Sequence, residues 1–214
     1  RNTRRIEKKE MMNTLGISRE GQADRYLGLP VHVGISKTRT FAYIKDGIWR
    51  LTQGWKERVL SKMGKEILVK ACAQAIPIFA MMCFDLTKGF CEQLNVMISR
   101  FWWAQQQNEA KVHWLGWEKL TRAKQDRGLG YKDLHLFNLS MLAKQGWRFL
   151  TDPDTLCARV LKARYFPEVD VLHAEPKWGI SYTWRSILRG RDLLKEGIVW
   201  RIGDGTQKNC WQIH

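Results

Sequence analysis

Asp152 and Asp154, held apart by Pro153, are the one closely spaced aspartate pair in the chain and the first place to look for paired carboxylates. Two-metal nucleotidyl transfer needs acids that converge on paired Mg²⁺ ions, from a tight Asp-Asp turn plus a third Asp on a neighbouring strand. Nothing in the sequence supplies that set. Asp152-Pro153-Asp154 instead predicts a helix N-terminus with Pro in its first turn. Cys210 and His214 make half of a zinc ligand set, and a structural Cys is the better reading. Gly128-Leu129-Gly130 has no Lys-Ser or Lys-Thr after it, so it predicts a turn and not a phosphate cradle. No Ser stands in a Gly-x-Ser-x-Gly elbow. Asn138-Leu139-Ser140 spells a glycosylation sequon, but it falls in a predicted helix of a protein read as intracellular. The expectation is therefore no catalytic residue, no metal, no cofactor and no enzyme activity.

The remaining chemistry is cationic. Lys and Arg number 36 against 21 Asp and Glu, a net charge of +15, and so one-sided a balance points to a polyanionic partner. Arg58, Lys62 and Lys65 project together from one predicted helix and are the candidate phosphate contacts. Eleven Trp and eight Phe supply core anchors, and any that remain outside could stack on bases. For a single Trp, packing is the default reading; Phe101-Trp102-Trp103 is the open case, because both indoles cannot face one core.

The cysteines at 72, 83, 91, 157 and 210 form an odd set without a CxxC pair, which predicts reduced thiols. No apolar run approaches the roughly 18 residues of a spanning helix, and no signal peptide is recognisable. The expectation is an intracellular protein, nuclear or cytoplasmic, with no membrane partner. The start at Arg1 and the end at Trp211-Gln212-Ile213-His214 read as those of a piece cut from a longer polypeptide.

The elements that would position these residues are mainly helical. Residues 4–15 predict a short amphipathic helix stopped by Gly16, and 25–34 an extended segment or small hairpin. Phe41, Ile44, Ile48, Leu51 and Trp55 trace a single helical stripe after a cap at Ser36 to Thr38. Residues 56–84 predict a longer helical pattern that Pro77 kinks or splits, leaving 78–84 as a buried second piece, with Leu60, Ile67, Ala71 and Ala75 facing the core. A third helix, near 88–104, carries Phe90, Leu94, Met97, Ile98 and Phe101. The loop 122–130 is the best internal boundary. Helices near 134–150, 153–165 and 180–196 follow, and 198–213 alternates around Gly203-Asp204-Gly205 as a β-hairpin.

Several stretches, in this order, resemble the region after the catalytic centre in plant non-LTR (LINE-type) retrotransposon reverse transcriptases. They are Tyr26-Leu27-Gly28-Leu29-Pro30, Gly54-Trp55-Lys56, Gly64-Lys65-Glu66-Ile67-Leu68-Val69-Lys70, Ile98-Ser99-Arg100-Phe101-Trp102-Trp103 and Gly128-Leu129-Gly130. Phe137-Asn138-Leu139, Leu142-Ala143-Lys144-Gln145-Gly146-Trp147-Arg148, Tyr182-Thr183-Trp184-Arg185-Ser186-Ile187 and Trp200-Arg201-Ile202-Gly203-Asp204-Gly205 continue the series.

The resemblance implies a palm-end remnant over 1–34, in which Tyr26, Leu27 and Gly28 belong to a segment that helps hold the primer end. It further implies a thumb-like helical domain over 35–125 and a helical linker region with a terminal hairpin over 126–214. The family's aromatic-x-Asp-Asp turn is absent, so polymerase activity is not implied. The expected function is sequence-independent binding of RNA, DNA or RNA–DNA hybrid backbone. A host-adopted protein-interaction or regulatory module, using apolar faces to hold a host protein partner, is the alternative.

Overall fold

The computed structural model describes residues 10–11, 14, 25–56, 60–103 and 114–199. The helix expected over 4–15 lies almost wholly outside them, although Glu10, Met11 and Thr14 are helical. The hairpin expected over 198–213 also lies outside from Trp200 onward. The chain divides into two compact units, before and after the Ser36–Lys37 junction.

In the first unit, β1 (Arg25–Tyr26) and β2 (Leu29–Pro30) pair antiparallel, with Arg25 opposite Pro30 and Tyr26 opposite Leu29. Two residues make the turn. Leu27 has φ 49° and Gly28 φ 81°, both positive as a tight hairpin turn of the I′ kind requires. Glycine adopts this backbone freely, whereas leucine does so at a cost of roughly 1–2 kcal/mol.

The second unit is helical. Short α1 (Lys37–Thr40) breaks at Phe41 and resumes as α2 (Ala42–Lys56), and Phe41, Ile44 and Ile48 of the expected stripe are buried. Helix α3 (Lys62–Leu68) starts where the Ser61 hydroxyl accepts the Gly64 amide. It runs into a π-helical turn, Val69–Ala73, closed by the Gln74 amide donating to the Val69 carbonyl at 2.9 Å. After Pro77 come the single turn α4 (Ile78–Met81) and the long α5 (Lys88–Trp103). The pattern expected over 56–84 is thus in several pieces, split at Pro77 as expected and also by the π-helical turn, and Lys65 and Ile67 exchange their expected faces. Lys65, Val69 and Ala73 are buried, while Ile67, Ala71 and Ala75 are exposed.

Helix α6 (Trp117–Thr121) precedes the loop that was read as a boundary. That loop folds back on itself: Gly128 and Gly130 donate to Ala123 and Arg122 carbonyls, and Leu129 and Tyr131 to Leu120. A Cβ at Gly128 would lie 2.1 Å from the Arg122 carbonyl oxygen, so only glycine fits. Helices α7 (Leu134–Thr151), α8 (Leu156–Tyr165) and α9 (Tyr182–Gly197) complete the unit. The cap of α8 is Thr155, whose hydroxyl accepts the Ala158 amide. Asp152 and Asp154 lie in the preceding turn, which corrects the capping role expected for them.

Elements before and after residue 125 pack together in this unit. α7 lies against α4, α5 and α9. Phe166, Val171, Ala174, Trp184, Ile187 and Leu188 form one core cluster, on which Phe149 and Leu150 of α7 and Leu161 and Tyr165 of α8 close. Trp184 is stacked with both Phe166 and Tyr165.

Candidate nucleic-acid interface

Lys62 and Lys65 sit three residues apart on α3, against the end of α5. The exposed Lys62 places Nζ 5.1 Å from the Trp102 ring and 5.3 Å from the Trp103 ring, and donates to the Trp102 carbonyl oxygen at 3.3 Å. It covers both indoles of the open Trp pair and neutralises the carbonyl end of a helix. Lys65 is 8% exposed, with Nζ 5.5 Å from the Phe101 ring. Its stem is core, contrary to the solvated face expected, because a lysine can bury its methylenes while the ammonium rests on an aromatic ring. Arg58 lies outside the described residues. Tyr26, Leu27 and Gly28 form the exposed hairpin tip of the other unit. Lys70 and Lys124 bond Glu66 at 2.7 and 3.3 Å, so two further cations near α3 are acid-paired.

The stretches that carried the family resemblance have an inner half and an outer half. Inside, the Asn138 amide of α7 donates to the Met81 and Phe84 carbonyls, and its oxygen accepts the Leu86 amide at 2.7 Å. From α9, the Ser186 hydroxyl accepts the Asp85 amide, the Tyr182 hydroxyl bonds the Asp85 carbonyl, and Arg189 pairs with the Asp85 carboxylate at 2.7 Å. The 81–86 turn is thereby satisfied by side chains from two helices, as a buried irregular backbone must be. Gln74 does the same for Lys132, using both ends of its amide. Burial, with the Asp85 charge nearby, pushes the Tyr182 phenol up to about 12.

Helices α7 and α9 approach closely at Gly190, where a Cβ would come within 2.4 Å of the Ala143 amide nitrogen. Leu142, Ala143 and Gly146 are therefore the inner half of their stretch. Lys144, Trp147 and Arg148 are its outer half and are exposed. Spaced i, i+3 and i+4, these three side chains share one helix face. Neither α7 nor α8 contains an acid, and α8 adds exposed Arg159, Lys162 and Arg164.

No protein-family model matches the chain, and no solved structure matches it. It is 42% identical over 138 residues to a protein of Arabidopsis thaliana named "Uncharacterized mitochondrial protein AtMg00310", a match covering 64% of this chain and 90% of that one. The chain belongs to the family of AtMg00310. It is also 32% identical over 175 residues to "Putative ribonuclease H protein At1g65750" of the same plant. That match takes in 80% of this chain but only 28% of the relative.

This member of the AtMg00310 family displays a second group of cations besides those named from the sequence. Lys144, Arg148, Arg159 and Lys162 are exposed and make no ion pair among the described residues. The signal that could have found them was present: 18 residues of α7 followed by 10 of α8, all without Asp or Glu. Among the described residues no three His, Cys, Asp or Glu side chains gather into a metal-holding group, and no helix is long and apolar enough to cross a membrane.

Proposed function

We propose that this chain is a non-catalytic helical module that holds the backbone of RNA, DNA or RNA–DNA hybrid without reading its sequence. It corresponds to the thumb and linker of a plant LINE-type reverse transcriptase. The carrying observation is the acid-free pair α7 and α8, which displays Lys144, Arg148, Arg159 and Lys162 without ion-pair partners among the described residues, in a chain of net charge +15. Such cations release counterions from phosphates and so bind any sequence with similar strength. The relative whose name includes ribonuclease H adds support from a protein named for a nucleic-acid enzyme. The non-catalytic part of the proposal rests on the sequence, which has no Asp-Asp turn.

The test is a salt series with duplex, hybrid and single strands. Affinity should fall steeply as salt rises, and charge reversal at Arg159 and Lys162 should weaken all sequences about equally. Binding that is flat with salt, or unchanged by both reversals, would reject the proposal.

One observation favours the alternative, a host-protein interaction module. Met63 and Ile67 of α3 are 77% and 64% exposed, and Ala71 and Ala75 continue their row. A partner held by that row would remain bound in high salt, where phosphate contacts fail.

A further inference from the structure

The outer face of α7 carries more than charge. Trp147 is 47% exposed, and its ring makes no aromatic or cation contact among the described residues. The indoles of Trp55, Trp102, Trp117 and Trp184 are each packed on another ring. Around Trp147, Lys144 lies one turn back and Arg148 beside it, both exposed and neither paired with an acid. Ser140 and Thr151 extend the face at either end; the Ser140 hydroxyl is turned onto the Leu136 carbonyl, and the Thr151 hydroxyl donates to the Trp147 carbonyl and lies 3.4 Å from the Asp152 carboxylate.

A bland reading covers part of this. A cation in the last turn of a helix is favoured by its dipole, and Arg148 needs no other reason. The dipole gives no reason for the indole. Core packing on the opposite side, through Leu142, Ala143 and Gly146, does not use it either. Trp49 of α2 is also exposed and has Lys45 one turn back, but Asp46 stands on the same side three residues before it. The face of α7 has a half-exposed ring and two cations that make no ion pair among the described residues, and its acid, Asp152, stands beyond the last turn, against Thr151.

We infer that Lys144, Trp147 and Arg148 form a binding site for unpaired nucleic acid, in which one base stacks on the Trp147 indole while Lys144 and Arg148 take the flanking phosphates. The occupant is a single strand, because a base in a duplex is already stacked on both sides and cannot offer its face. This site rests on the backbone-binding proposal and adds a preference to it: single strands gain a stacking contribution that duplexes cannot.

The purified chain and its variants are tested by fluorescence anisotropy with a labelled oligothymidine and with a blunt duplex of equal length, across a salt series. Trp147→Ala should weaken the single strand about tenfold or more while leaving the duplex within about twofold. Trp147→Phe, which keeps a ring, should recover most of the loss. Lys144→Gln and Arg148→Gln should each lower the salt dependence of single-strand binding by about 0.7 of a log unit per log unit. Unchanged thermal melting of Trp147→Ala shows that the fold persists; if it melts early, Trp147→Phe against Trp147→Leu, of similar bulk, replaces it. Salt-sensitive binding unaffected by Trp147→Ala, or lost equally for both probes, overturns the stacking site and leaves the general proposal standing. Absence of salt-sensitive binding to either probe overturns both.

Discussion

Asn138 shows how one side chain can hold a fold together. It is fully buried, and its amide closes three backbone groups of the 81–86 turn. Asn138→Leu keeps the volume and abandons those groups, so it should destabilise the chain by about 3 kcal/mol or more, at 1–3 kcal/mol for each buried group left unpaired. Urea denaturation would measure it, and a loss under about 1 kcal/mol would mean that water replaces the amide. Glu66 provides a pH-dependent counterpart. The hydrogen bond from Lys70, helped by Lys124, holds its carboxyl below the usual 4.5, against the opposing effect of partial burial. A depressed folded pKa stabilises the protein above 4.5, and that stability is lost as pH falls through the lowered value. Glu66→Gln should therefore cost about 0.5–1 kcal/mol at neutral pH. The difference from the parent should shrink in acid melts below 4.5.

At the scale of elements, the informative case is α3 and the π-helical turn that follows it. Two rows four residues apart compete there: Ile67, Ala71 and Ala75, or Lys65, Val69 and Ala73. Composition favours the first, and the structure buries the second. The stripe of α2 and the core positions of α5 were legible because their apolar residues have no competing row. Lys65→Glu should consequently unfold the unit or cost several kcal/mol, since it buries an acid against Phe101. Lys62→Glu, on the surface, should cost about 1 kcal/mol; similar melting losses for the two would contradict the assigned faces. The α7–α9 contact gives a sharper pair. Gly190→Ala forces a methyl into the Leu142–Ala143 backbone and should cost about 3 kcal/mol. Gly146→Ala meets only the flexible end of Leu194 at 3.2 Å and should be near neutral, since about 1 kcal/mol of helix propensity offsets the crowding. Differential scanning calorimetry of the two variants would show whether these helices are in contact as described.

For the whole molecule, charge is the property that sequence fixes most securely, because net charge does not depend on folding. Reversing Arg159 and Lys162 together should lower nucleic-acid affinity at low salt and leave urea stability within about 0.5 kcal/mol. A large stability loss would place these residues in the core and not at the interface. The sequence by itself determined that the chain is helical, basic and rich in aromatic anchors. The glycine-rich 122–130 loop was legible as a turn from Gly128-Leu129-Gly130 alone. The tertiary structure decided which cations face solvent. Lys65 went inward and Lys144, Arg148, Arg159 and Lys162 outward, because the face of a helix is chosen by the neighbour it packs against. It also decided what Asn138, Ser186 and Gly190 are for. Their partners lie some 45 to 100 residues away in the chain, at separations where local spacing carries no information and only the packing of α7 and α9 brings the groups together.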